Sequence, residues 1–119
     1  MHKLIIIFDQ PPDLTAFLVG WQAFLQIAEQ MPGLRRETVS LIEEVIHGET
    51  RPFKIHEFHF DDRAALDAAL ASDAGQQAGE WLHQFTNGNF TLLTAPHQEA
   101  TAKEFKPNVT KKKGRARSA

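Results

Sequence analysis

The chain has 119 residues, 42% of them hydrophobic, which is enough for one compact domain. It has no cysteine, which excludes disulfides, cysteine-ligated zinc and thiol catalysis, and no tyrosine, which excludes a phenolic proton donor. The net charge of −2 hides an asymmetry, because seven of the thirteen basic residues fall within 103–119, where Glu104 is the one acid. We therefore predict a domain over residues 1–100 and a basic, flexible tail over 101–119.

The chain begins with one apolar run, Leu4–Phe8, that is too short for a signal peptide or a membrane span. We therefore expect a soluble, cytoplasmic protein. Residues 3–8 are apolar and rich in β-branched side chains, which predicts a strand. From Leu14 to Met31 the apolar residues recur every three or four positions, which predicts a largely buried helix that ends at Pro32-Gly33.

The middle of the chain contains one ambiguous and one clear strand signal. Residues 34–46 hold β-branched residues that favour a strand, but two adjacent glutamates interrupt the apolar pattern. After a loop at 48–52, residues 53–60 alternate in a period of two, which predicts a strand with two different faces. One face carries Phe58 and Phe60, and the other carries Ile55, Glu57 and His59.

The last third of the chain predicts two helical segments and a final strand. Asp61-Asp62 is typical of a helix N-cap, and an alanine- and leucine-rich stretch follows as far as a break at Gly75. A second helical segment ends at the turn signal Asn87-Gly88. We then predict a last strand over Phe90–Thr94.

The predicted element order is β-α-β-β-α-β, the split βαβ arrangement of ferredoxin-like domains. This α+β fold has an antiparallel sheet with helices on one face. The other face would carry Ile55, Glu57 and His59. Because that face mixes apolar and polar residues, we expect a partner sheet to cover it.

Several short segments, in this order and spacing, resemble the EthD-like family of dimeric α/β barrels over about residues 3–95. The segments are Met31-Pro32-Gly33-Leu34-Arg35-Arg36, Glu57-Phe58-His59-Phe60-Asp61, Ala65-Leu66, Ala68-Ala69-Leu70-Ala71-Ser72, Gly75-Gln76 and Phe85-Thr86-Asn87-Gly88. The resemblance implies a homodimer whose two sheets form a barrel, with a pocket between each sheet and its first helix. It also implies a connection to ether degradation or cofactor-free oxidation, since some members are encoded beside monooxygenase components and the superfamily includes cofactor-free monooxygenases, isomerases, dehydratases and cyclases.

The chain departs from the family pattern in its first helix. Relatives carry a histidine near the middle of this helix, and the equivalent position here is Phe24, or Leu25 if the register slips by one. The first helix holds no histidine at all. A proton-transfer role for that residue therefore does not carry over to this chain.

The candidate catalytic residues are Glu57 and His59, which lie two apart on a strand and so are neighbours on one face. Such a pair can hold a proton near neutral pH and act as acid and base, or it can be a polar pair at a dimer interface. The candidate ligand-binding residues are Trp21, Phe24 and Phe85, which either line an apolar pocket or pack in the core. We interpret His56, on the opposite face, as a packed histidine.

The sequence contains no motif for a metal ion or a nucleotide cofactor, and little that favours nucleic acid as a partner. No histidine and carboxylate spacing matches a metal motif, and no glycine-rich loop matches a nucleotide site, so we expect neither metal nor cofactor. The tail has no aromatic residue after Phe105, which argues against nucleic acid as a partner.

The sequence therefore predicts a homodimeric EthD-like protein that binds or transforms an apolar small molecule in a catabolic or oxidative pathway. If it is an enzyme, we expect cofactor-independent oxidation or proton transfer through Glu57 and His59. The missing helix histidine favours a second hypothesis, a non-catalytic accessory or ligand-binding protein. A third is a structural interaction module whose barrel is filled by side chains.

Overall fold

The computed structural model describes residues 1–105. The elements follow in the order β1 (His2–Asp9), α1 (Leu14–Ala28), β2 (Arg36–Leu41), β3 (Pro52–Phe60), α2 (Arg63–Ala71), α3 (Asp73–Thr86), β4 (Phe90–Pro96) and α4 (Ala102–Phe105). The short α4 lies inside the segment predicted as a tail, whose residues 106–119 are outside the described residues. Over residues 1–105, no helix is both long enough and apolar enough to cross a membrane.

The four strands form one antiparallel sheet in the order β2-β3-β1-β4. Glu57 of β3 lies opposite Ile5 of β1 and Thr38 of β2, and Ile5 also lies opposite Leu93 of β4. Paired residues point to the same face, so these four side chains share one side of the sheet. The predicted ferredoxin-like fold is confirmed.

The helices cover the other face and enclose the core between themselves and the sheet. Alternate residues of the two central strands point into this layer, as the period of two predicts. The buried residues of the core are Leu4, Ile6, Phe8, Phe17, Phe24, Ala28, Met31, Phe58, Phe60, Leu66, Ala69, Ala78 and Leu82. The opposite face, which carries Ile5, Thr38, Glu57 and Leu93, is here called the open face.

Two element boundaries differ from the prediction. The first helix ends at Ala28, not Met31, and a turn through Gly33 at a φ of 81° leads into β2. The break between the two later helices lies at Ser72, whose side chain caps α3 by accepting from the Gly75 backbone N–H. Gly75 itself lies inside α3, where a Cβ would strike the Ala69 carbonyl oxygen.

Candidate functional site

The structure splits the predicted site residues between the two faces of the sheet. Glu57 and His59 point to the open face, while Trp21 and Phe24 of α1 pack on the helix side. The Phe24 ring lies 6.2 Å from that of Phe58, which points away from Glu57. The sheet therefore separates the predicted acid–base pair from these two predicted ligand-binding residues.

The open face does bring Glu57 and His59 together. His59 Nε2 lies 3.8 Å from Glu57 Oε1, and the Thr38 hydroxyl lies between them. That hydroxyl donates to Glu57 at 3.2 Å and lies 3.4 Å from His59 Nε2. The Lys3 ammonium lies 3.5 Å from the other Glu57 oxygen. This polar group is therefore linked across three strands.

His59 is 1% exposed, and its ring lies 4.8 Å from that of His97, nearly perpendicular to it. Burial lowers the pKa of His59, and the nearby His97 and Arg36 lower it further. The negative charge of Glu57 acts in the opposite direction but is a smaller cause. His59 Nδ1 has no hydrogen-bond partner among residues 1–105. His59 is thus held as a neutral ring at neutral pH.

The helix-covered face carries a second ionisable group, centred on His56. His56 is fully buried, its ring stacks on Phe58 at 4.5 Å, and its Nε2 lies 2.7 Å from Glu37 Oε1 of β2. Burial, followed by the charge of Lys54, lowers its pKa to about 4. A neutral His56 beside this carboxylate donates its Nε2–H, which leaves Nδ1 as a lone-pair acceptor. That Nδ1 is buried and has no partner within the described part of the chain.

Lys54 and Trp21 complete this cluster on the side of α1. The Lys54 ammonium lies 3.2 Å from the centroid of the Trp21 ring, a cation–π contact, and Trp21 meets His56 edge to face at 5.9 Å. Lys54 is 5% exposed, and burial lowers its pKa. The indole nitrogen of Trp21 is also buried and, among residues 1–105, has no hydrogen-bond partner.

Two carboxyl groups connect His56 to the surface. Glu37 is 27% exposed, and Glu29, at the C-cap of α1, lies on the surface. A hydrogen bond with Glu37 raises the pKa of Glu29, and burial and the Glu37 charge act in the same direction. The Glu29–Glu37–His56 series therefore runs from solvent to a fully buried ring. We refer to Lys54, His56, Glu37, Glu29 and Trp21 as the helix-face cluster.

Three cavities lie elsewhere in the described residues. A groove of about 500 Å³ follows the loop after β2, and a cleft of about 150 Å³ is lined by Phe17 and Phe85. An apolar void of about 50 Å³ touches Phe24, which is too small for ligands that need pockets of about 300–1,000 Å³. Phe24 and Phe85 thus line different cavities, and none of the three is lined by Trp21, His56 or His59.

Sequence reasoning missed the helix-face cluster although the strand period contained the signal. Lys54 and His56 alternate with the residues of the open face and so share a side with Phe58 and Phe60. Two ionisable residues on a helix-covered face are unusual enough to suggest a site. Among residues 1–105 there is no group of three side chains suited to holding a metal ion.

Comparison with known proteins gives the fold a family context. An EthD family protein from Bacillus halodurans C-125 superposes with a TM-score of 0.77 at 28% identity, over 82% of this chain and 99% of that one. The chain resembles the EthD family. The predicted resemblance is therefore confirmed, although no family model matches the sequence.

Two further comparisons are more distant. An uncharacterized 11.0 kDa protein of the thcB-thcC intergenic region in Rhodococcus erythropolis is 22% identical over 94 residues, which is 78% of this chain and 91% of that protein. A dimeric ferredoxin-like protein from Jannaschia sp. CCS1 superposes with a TM-score of 0.60 at 16% identity, covering 82% of this chain and all of that one. The second match shows a shared fold alone.

Proposed function

We propose that this EthD-like chain forms a homodimer and moves a proton on a small, mostly apolar molecule held between α1 and the sheet, with His56 as the base. One observation carries the proposal. His56 is fully buried, donates to Glu37 through Nε2 at 2.7 Å, and keeps an unpartnered Nδ1 among the described residues. A carboxylate that fixes the tautomer of a neutral histidine and leaves its other nitrogen free is the usual arrangement of a general base.

The proton step balances without a further reactant. A C–H bond next to a carbonyl group of the ligand breaks, its electron pair stays on the ligand as an enolate, and the proton joins His56 Nδ1. The resulting imidazolium lies against the Glu37 carboxylate, which stabilises it. Return of the same proton to another atom of the enolate gives an isomer and restores the neutral ring.

Exchange with water uses the two carboxyl groups that lead outward. Glu37 contacts His56 directly, and Glu29, at the surface, interacts with Glu37. The raised pKa of Glu29 brings its carboxyl closer to the working pH, which suits a group that gives and takes protons. The buried base therefore exchanges its proton without direct contact with solvent.

The open face supports the homodimer. It carries Ile5, Ile7 and Ile55, all partly exposed, and Leu93, which is 43% exposed, beside the polar group around Glu57. A mixed face of this kind favours burial against another sheet, and the Jannaschia protein of the same fold is described as dimeric. A second copy of the chain is the partner that we propose.

The acid–base role of Glu57 and His59 remains a prediction. In the proposed dimer these residues lie at the interface, where Thr38 and Lys3 already partner Glu57. The non-catalytic accessory hypothesis also remains, and it shares the ligand site without the proton step.

Hydrogen–deuterium exchange tests the proposal and separates the two faces. The protein is incubated in D₂O with a panel of apolar ketones, and deuterium gained next to the carbonyl is measured by mass spectrometry. We expect exchange above the buffer rate in the wild type and in His59→Gln, and its loss in His56→Gln.

The opposite pattern, with loss in His59→Gln alone, would move the base to the open face as the sequence predicted. Binding of a ketone without any exchange in the wild type would instead support the accessory hypothesis. Thermal unfolding of each variant checks that the fold is retained.

A further inference from the structure

Lys54 is a buried cation that lacks an anion. It is 5% exposed, and its ammonium is surrounded by the rings of Trp21, Phe17 and Phe53 at 3.2, 5.6 and 5.8 Å. No carboxylate among residues 1–105 lies within ion-pair distance of it. Residues 106–119 contain no aspartate or glutamate that would supply one.

Aromatic faces offset only part of the cost of such a charge. A cation–π contact contributes about 0.5–2 kcal/mol, whereas removing an ammonium from water costs several kcal/mol. The carboxyl groups of the cluster do not supply an ion pair for Lys54, because Glu37 accepts from His56 and neither Glu29 nor Glu37 pairs with Lys54 within the described residues. The site therefore lacks one negative charge close to Lys54.

Two neighbouring polar atoms lack partners as well. Trp21 Nε1 is a buried donor and His56 Nδ1 a buried acceptor, and neither is hydrogen-bonded within residues 1–105. Both belong to rings in contact with each other, and Lys54 lies directly over one of them. Native proteins seldom leave two such buried atoms unsatisfied in one place unless something else binds there.

We propose that the ligand of the helix-face cluster carries an acidic oxygen, a carboxylate or an ionised enol or phenol on an apolar body, and that Lys54 recognises it. This inference rests on the proposed ligand site and adds the chemical class of the ligand. The apolar body takes the space above Trp21 that the Lys54 side chain now covers. The four-carbon stem of the lysine allows its ammonium to move off the ring and onto the anion.

Binding of such an anion would also tune the base. The charge of Lys54 is one of the causes that lower the pKa of His56. An anion paired with Lys54 cancels much of that charge, so the pKa of His56 rises toward its ordinary value. A ligand of the proposed class therefore makes His56 a stronger base at the moment that it occupies the site.

Paired probes of one shape and different charge test the inference. Benzoate and benzamide are titrated into the full chain by isothermal titration calorimetry, and the indole N–H signals are followed by ¹H–¹⁵N NMR. We expect benzoate to bind more tightly than benzamide and to shift the Trp21 signal. The Trp81 signal serves as an internal control, because that N–H already donates to the Gly20 carbonyl oxygen.

Substitutions assign the effect to Lys54. Lys54→Met should weaken benzoate binding by about thirtyfold or more and leave benzamide binding unchanged or tighter, since a buried ion pair loses one partner. Lys54→Arg should keep most of the benzoate affinity, and Lys103→Met, which removes an exposed charge on α4, should leave it unchanged. Thermal unfolding shows whether Lys54→Met is folded, and the arginine variant carries the test if it is not.

Three results would overturn the inference: no benzoate binding at millimolar concentration, equal binding of benzoate and benzamide, or full benzoate affinity in Lys54→Met. Failure of the proposed function gives a different pattern. In that case benzoate binding depends on Lys54, but His56→Gln exchanges ketone protons as fast as the wild type.

Discussion

The indole nitrogen of Trp81 donates a hydrogen bond to the backbone carbonyl oxygen of Gly20, 2.8 Å away. The bond joins α3 to the middle of α1 and satisfies a polar atom of a partly buried aromatic residue. It forms only because the two helices approach closely at Gly20. A Cβ on that residue would lie 2.6 Å from a ring carbon of Phe85.

Gly20→Ala should therefore destabilise the fold by about 1–3 kcal/mol, the usual cost of overpacking a tight contact. Gly79→Ala is the matched control, since it also lies in a helix but has nothing within 4 Å of a new Cβ. The control should stabilise the protein by about 1 kcal/mol through helix propensity. Urea unfolding of both variants measures the difference, and equal stabilities would contradict the close contact.

Stability should fall in acid because of His56. In the folded protein its pKa is about 4, and in the unfolded chain it is near the ordinary 6.5. The unfolded state therefore binds the proton first, and the contribution of a neutral His56 is fully present above pH 6.5. It is lost as pH falls toward 4, by up to about 3 kcal/mol.

Urea unfolding at several pH values between 4 and 7.5 checks this for the wild type and for His56→Gln. The difference between the two proteins isolates His56 from the other groups that titrate. We expect the free energy of unfolding to fall more steeply in the wild type over this interval. A difference independent of pH would show that His56 is not held neutral.

The carboxyl group of Glu37 should control the pKa of Glu29. A hydrogen bond with Glu37 is the main cause that raises the pKa of Glu29, and the Glu37 charge adds to it. In Glu37→Gln the charge is gone and the amide donates to the ionised carboxylate, so the pKa of Glu29 should fall to its ordinary value or below. Carbon-13 NMR of the side-chain carboxyl groups measures it, with Glu57→Gln on the opposite face as a control that should leave Glu29 unchanged.

The proposed dimer predicts that charge on the open face separates the copies. Leu93 of β4 is 43% exposed on that face, and Leu18 of α1 is 42% exposed on the helix side. Leu93→Lys should shift the protein toward the monomer in sedimentation velocity, while Leu18→Lys should sediment as the wild type does. A wild-type protein that is monomeric at micromolar concentration would remove the dimer from the proposal.

Hydrophobic periodicity in the sequence predicted the fold well. Residues 53–60 alternate, and the burial of β3 follows that alternation as far as Phe58, after which His59 is buried as well although it lies on the open face. Helix boundaries were less accurate, since Ser72 rather than Gly75 divides α2 from α3. The Ser72 side chain caps α3, and Gly75 lies within that helix.

The candidate site was harder to predict because it depends on contacts between distant segments. The partner of His56 is Glu37, which comes from the ambiguous segment 34–46 and reaches the ring only through the pairing of β2 with β3. The cation–π contact depends on where α1 crosses the sheet. Alternation could place Lys54 and His56 on the helix-covered face, but it carries no information on what lies opposite them.

The central position of β3 has a consequence for length variation in this chain. β3 is hydrogen-bonded to β1 on one side and to β2 on the other, and its successive residues serve opposite faces. Loss of one residue that shifts both His56 and Glu57 by one position in the register would send His56 to the open face and Glu57 into the core, which would exchange the chemistry of the two faces. Insertions between Leu41 and Pro52 would leave both faces intact, because a surface loop absorbs added length at small entropic cost.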